Sequence, residues 1–181
     1  MSLDNGLIEG LDGKMRCWWH GNEPAYLDYH DTDWGIPCRD DQALFEKISL
    51  EGFQVGLSWW TILQRRQGFR AAFHDFDFSR VQSMTEADVD RLLQDTGIIR
   101  HRGKIEATIN NAVKAIDMIG SHGSLANFFD AYVPPTDQRP AVMTKQALID
   151  MGVPQAAKDC SKALKKLGWK FVGPTTIYAF M

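Results

Sequence analysis

Glu51 sits in the run LEGFQVGLSW, beside Gly52 and one position off an apolar stripe of helical period. Gln54 and Ser58 fall on the same side of such a helix. A carboxylate at the edge of a tryptophan-rich wall, next to a bare glycine surface, can accept hydrogen bonds from a donor-rich ring edge. The exocyclic amine of adenine is such an edge. Glu51 is therefore a candidate for holding such an edge, although a solvated glutamate on a helix has the same neighbours. Elsewhere the chain gathers Trp18, Trp19, Tyr26, Tyr29 and Trp34, and then Trp59 and Trp60. Tyr26, Tyr29 and Trp34 lie close to helical spacing and could face one cavity. Aromatic faces hold flat, electron-poor rings well, and hold cations better still. The plain alternative is that these rings are core.

A second constellation is DTGIIRHRGK, from Asp95 to Lys104. Gly97 makes a tight turn between two helices, Ile98 and Ile99 anchor it, and Arg100, Arg102 and Lys104 add charge where the next helix begins. Aligned N–H dipoles at such a place favour an anion. Gly97, Arg100, Arg102 and Lys104 are thus candidate contacts to a DNA backbone. A simple corner between helices with a solvated basic rim fits the same residues. Cys17 and His30 could be half of a tetrahedral zinc site, but two ligands do not complete one. Lys158, Lys162, Lys165 and Lys166 form a basic stripe, either a solvated face or a track for a DNA strand.

Helices must carry these groups, because strand alternation is nearly absent. Pro24 suits a first helical position and Gly35 can end that segment near Trp34. From Asp40 a single long helical pattern runs through DDQALFEKISLEGFQVGLSWWTILQRR, with Phe45, Ile48, Val55, Trp59, Ile62 and Leu63 on its apolar face. Gly52 and Gly56 lie inside it and open one side to close packing. Thr85 with Asp88 reads as a capping box opening a helix to about Gln94. Further helices are expected over Lys104 to Ile119, Ser124 to Tyr132, from Thr144, from Pro154 to Leu167 with a stop at Gly168, and after Pro174. VPPTDQRP is the clearest loop. The reading is an all-α fold, a compact helical bundle with two lobes joined at that loop. Residues 1–14, Gly- and Asp-rich, are expected to be a disordered leader, and residues 15–181 a single domain.

With 181 residues the chain can build one full core. Its net charge of −3 argues against coating nucleic acid by bulk electrostatics, while leaving room for a local basic patch. No apolar run approaches the roughly 18 residues of a membrane span. Three cysteines, widely spaced and without a CxxC pair, exclude a disulfide framework, so a reducing cytoplasm is expected.

The stretches RCWW, YLDYHDTDWGIP, LFEKISLEGFQVGLSW, DTGIIRHRGKI and SKALKKLGWKFVGPTT together resemble the 3-methyladenine DNA glycosylase I family. The resemblance runs from Arg16 to the end of the chain. It implies a helix-hairpin-helix DNA glycosylase fold and monofunctional hydrolysis of the N-glycosidic bond of 3-methyladenine in alkylated double-stranded DNA. It implies that Glu51 is the catalytic-site residue that binds the adenine edge and that Tyr26, Tyr29, Trp34, Trp59 and Trp19 enclose the base. Gly97, Arg100, Arg102 and Lys104 would lie at the DNA-facing hairpin. Free 3-methyladenine would be the product, and the protein would act as a monomer without a membrane partner. Cys17 and His30 match the first two ligands of the family's structural zinc. The other two, a His and a Cys beyond the final helix, would fall after Met181, so incomplete zinc binding or a truncated form is expected. Two other classes stay open: a non-catalytic damaged-DNA-binding helical module, and a helical protein that binds a small purine or a partner.

Overall fold

A computed structural model describes residues 6–21, 23–135, 142 and 144–181. The described chain divides into two units, Met1–Pro37 with Pro134–Pro154, and Cys38–Val133 with Gln155–Met181. One boundary between them falls at the start of the Pro-rich loop. Most of that loop lies outside the described residues. Among the described residues no helix is long and apolar enough to cross a membrane.

The smaller unit opens on an antiparallel pair, β1 (Leu7–Glu9) and β2 (Met15–Cys17), in the register Leu7 to Cys17, Ile8 to Arg16 and Glu9 to Met15. This corrects the expected disorder for part of the leader; residues 1–5 lie outside the described residues. Three residues per strand are too few to show alternation in a sequence, and side chains supply the stability. Arg16, buried, donates to both carboxylate oxygens of Asp12 at 2.7 Å and to Asp31 at 2.7–3.1 Å. That fork ties β2 to α1 (Pro24–Thr32), whose first residue is the anticipated proline. Both carboxyls are held well below the usual carboxylate range, chiefly by their hydrogen bonds from Arg16. The helix expected from Thr144 is α9 (Lys145–Met151), with the Thr144 hydroxyl accepting from Ala147 N–H.

The larger unit is built around α2 (Asp41–Gln54), capped by the Asp40 side chain on Ala43 N–H at 2.8 Å. The long helix expected from Asp40 is broken. It stops at Gln54, Gly56 takes φ +83°, and Ser58 caps a new helix, α3 (Trp59–Leu63), by accepting from Thr61 N–H. Left-handed backbone costs glycine nothing, and a serine Oγ competes for backbone donors. Together they override an apolar period that continues through the break. A stretch without an assigned element in the sequence reading folds as α4 (Arg66–Ala72) and α5 (Phe78–Val81). Then come α6 (Glu86–Leu92), α7 (Arg102–His122), α8 (Leu125–Asp130), α10 (Gln155–Lys166) and α11 (Pro174–Phe180).

Helix α2 packs against α3, α7, α8 and α11, and its core residues Phe45, Leu50 and Phe53 are fully buried. Phe53 stacks near Phe69 and Phe73, with ring centroids 4.6 and 5.8 Å away. Gly52 lets the loop before α11 lie on α2: a Cβ there would stand 3.4 Å from the Phe171 Cβ. Asn111 of α7 clasps that loop, donating to Lys170 O and accepting from Lys170 N–H, both at 2.9 Å. The buried Glu46 carboxylate is satisfied by Arg66 and Arg70 of α4, at 2.5–2.9 Å.

Candidate active site

Within the larger unit, Glu51 stands in the last turns of α2 and is only 3% exposed. Lys47, one turn earlier, donates from Nζ to Glu51 Oε1 at 2.8 Å. The same ammonium lies 3.9 Å from the centroid of the Trp59 ring. The break after Gln54 makes this possible, because it brings the start of α3 back beside α2. Burial pushes the Glu51 carboxyl up, and the neighbouring Lys47 charge pulls it back. A carboxylate so placed is a strong acceptor with little water to compete for it. Ser58, expected on the same helical face, caps α3 instead. Gln54 donates to Leu57 O and closes the turn. That turn leaves Val55 and Leu57 exposed.

Within the smaller unit the predicted aromatic residues converge. Trp19 is the hub, with ring centroids 5.0 Å from Tyr26, 6.3 Å from Tyr29 and 5.2 Å from Trp34. Its neighbours also include His30 at 5.2 Å. Tyr29 is buried, Trp19 and Tyr26 are half-buried and Trp34 is exposed. Trp18 does not join them; Lys145 Nζ lies over its ring at 4.9 Å.

The turn from α6 into α7 is the predicted helix–turn–helix. Thr85 and Asp88 form the expected capping box at its start. Asp95 Oδ1 accepts from Gly97 N–H at 2.7 Å, Ile98 is buried, and the His101 ring accepts from Lys104 N–H to cap α7. Gly97 rests on α4, since a Cβ on Gly68 would meet the Gly97 carbonyl oxygen at 2.3 Å. Arg100 is exposed. Arg102 is occupied by carboxylates: Glu86 and Asp90 of α6, the latter at 2.5 Å, and Glu106 at 3.5 Å. Lys104 departs from its expected place on the hairpin surface. It is 7% exposed and turned inward, donating to Phe53 O at 2.9 Å and Val55 O at 2.6 Å. A cation at the end of α2 satisfies carbonyls that the broken helix leaves open and suits its dipole.

Cys17 and His30 are neighbours. Cys17 N–H donates to His30 Nε2 at 3.3 Å, and His30 Nδ1 bonds Asp31 Oδ1 at 2.9 Å. The first bond leaves Nε2 without a proton and its lone pair engaged, so Nδ1 carries the proton. Among the described residues, no group of three or more His, Cys, Asp and Glu side chains could hold a metal ion. A carboxylate on Nδ1 is also how a metal-bound His is oriented, but two ligands do not complete a tetrahedral site, so the described residues alone do not form the zinc site that the resemblance implies.

Comparison with known proteins supplies the family. The model of the methyladenine glycosylase family matches residues 19–181. The chain belongs to this family. It is 47% identical to DNA-3-methyladenine glycosylase 1 of Escherichia coli (strain K12), over 92% of this chain and 88% of that protein. A crystal structure of 3-methyladenine DNA glycosylase I, at 47% identity, superposes with a TM-score of 0.83 over 92% of this chain and 90% of that one. A variant of 3-methyladenine DNA glycosylase I in complex with 3-methyladenine is 35% identical, with a TM-score of 0.76 over 88% and 84% of the two chains. The fold is accordingly that of the helical DNA glycosylases.

Sequence reasoning passed over Lys47 and Gly68. The signal for Lys47 was present, a lysine four residues before a glutamate on one helix. Nothing in the sequence marks Gly68, whose role is set by a segment nearly 30 residues away.

Proposed function

We propose that this protein is a base-excision-repair glycosylase that hydrolyses the N-glycosidic bond of 3-methyladenine in alkylated DNA. One observation carries the reading: a nearly fully buried carboxylate, Glu51, beside the Trp59 indole, in a chain of the methyladenine glycosylase family. An enzyme acting on a base must extrude it from the stack, and a lesion that pairs poorly costs less to flip. Methylation at N3 makes the base cationic, so it departs neutral and needs no proton from the protein. What remains is selective binding, placement of a water and support for positive charge developing on the sugar. Glu51 is assigned to accepting from the exocyclic amine of the base. Aromatic faces for a cationic ring are offered within each unit: Trp59 in the larger, and Trp19, Tyr26, Tyr29 and Trp34 in the smaller.

The α6–α7 turn is assigned as a helix-hairpin-helix contact to the DNA backbone through Gly97 and Arg100, with Arg102 reachable once its carboxylates yield. Lys104 serves that turn from inside. The reading also takes the protein as a monomer acting in the cytoplasm. Cys17 and His30 are assigned as two ligands of a structural zinc, and metal analysis of the purified protein tests for it. The deciding experiment incubates methylated DNA with the protein and measures free 3-methyladenine. Release by wild type and loss of release by Glu51→Ala are expected. Binding of methylated DNA without release would replace the enzyme with a damage-binding module. Equal release by Glu51→Ala would remove Glu51 from base reading.

A further inference from the structure

Lys47 brings a positive charge to the two groups that the proposed function assigns to a cationic base. Its Nζ is 2.8 Å from Glu51 Oε1 and 3.9 Å from the Trp59 ring centroid. A carboxylate and an indole face are what a methylated adenine would seek: an acceptor for its amine and a π-surface for its charge. The ammonium satisfies both at once. It is also able to leave, because Lys47 is one turn along the same helix, its side chain is 21% exposed, and four rotatable bonds link it to the backbone. Glu51, with its side chain 4% exposed, cannot follow it into water.

We propose that Lys47 is an internal stand-in for the cationic base, an ammonium that an incoming base must displace from Glu51 and Trp59. The inference rests on the assignment of Glu51 and Trp59 to the base. A ligand that can bind only the displaced state pays for the fraction of time that state exists. The lysine thus raises the threshold that any base must pass. A weakly bound purine does not displace the ammonium, whereas a base offering both an amine donor and a strongly attracted ring does. It also keeps a buried carboxylate matched with a positive charge between turnovers, when an unpaired one would be costly.

The test uses 3,9-dimethyladenine as the probe, a ring that stays cationic because its N9 is substituted as in DNA, and the full chain as the protein. The side-chain methylene protons of Lys47 next to Nζ lie over an indole and carry a ring-current shift, visible by NMR with labelled lysine and assigned with Lys47→Met. On addition of the probe that resonance should move to the position of a solvated lysine. Lys47→Met, which keeps an unbranched helix former at the site, should bind the probe about tenfold more tightly, as expected when a state about one-tenth populated becomes the only one. Neutral 9-methyladenine should gain by the same factor, because every ligand of the displaced state pays for the same fraction. If the probe binds and the Lys47 resonance does not move, or if Lys47→Met binds more weakly, the stand-in role is overturned while the base site survives. If neither protein binds the probe, the assignment of Glu51 and Trp59 fails first and takes the inference with it.

Discussion

Gly68 on α4 faces the turn that begins the proposed DNA contact, and replacing it with alanine isolates that packing. A Cβ at Gly68 would stand 2.3 Å from the Gly97 carbonyl oxygen and 2.9 Å from the carbonyl carbon. Reaching an ordinary contact of 3.4 Å requires a retreat of about 1.1 Å, and the neighbour is backbone, not a flexible side chain. Overpacking of this kind costs about 1–3 kcal/mol. Alanine returns up to about 1 kcal/mol through helix propensity. The net expectation is a loss of about 1–2 kcal/mol, or a fall in Tm of about 2–8 °C for a chain of this size. Because the displaced group belongs to the turn, affinity for DNA should fall as well. Gly120 in α7 is the control: it is exposed, and a Cβ there meets nothing within 4 Å. Gly120→Ala should raise Tm by about 1–4 °C through propensity alone. Thermal unfolding followed by circular dichroism measures both. A Gly68→Ala protein at or above the wild-type Tm, beside a stabilised Gly120→Ala, would refute the claim that the turn is seated on α4.

The remaining predictions concern Glu51 and the cysteines. Burial holds the Glu51 carboxyl above its ordinary range. The folded state therefore keeps that proton longer than the unfolded chain does. Its contribution to stability is full below the unfolded value of about 4.3 and is lost as pH rises through the higher folded value. Glu51→Gln, which has no charge to desolvate, should thus gain stability relative to wild type between about pH 4 and about pH 7; urea unfolding at both pH values checks it, and a constant difference would contradict the raised pKa. Cys160 is fully buried, with burial pushing its thiol up to about 12, whereas Cys38 is exposed. A thiol reagent followed by peptide mass spectrometry should therefore label Cys38 in the native protein and Cys160 only after unfolding.

Much of this could be read from the chain because several signals are local. Thr85 and Asp88 cap α6 through atoms three residues apart, and Gly168 ends α10 because its φ of +88° suits glycine. The aromatic cluster around Trp19 was legible for a similar reason, since its members fall within 16 positions of one another. The break between α2 and α3 was hidden, because Val55, Trp59 and Ile62 keep helical spacing across a turn that is not helical. Lys104 was misplaced for a physical reason of its own. A lysine beside two arginines at a helix start looks like surface, and only the carbonyls of Phe53 and Val55, about 50 positions earlier, turn it inward. The strand β1 is too short to announce itself, and its partner and the Arg16 fork create it.

The carboxylates around Arg102 have a further effect, in the electrolyte around the protein. Glu86, Asp90 and Glu106 act as counterions fixed to the chain, so this guanidinium recruits few mobile anions from solution. A DNA phosphate that takes their place sheds its condensed cations, but the freed carboxylates gather cations in turn, so the net release of salt is small. The dependence of DNA binding on ionic strength, which counts released ions, should therefore register fewer contacts at this turn than its arginines would suggest.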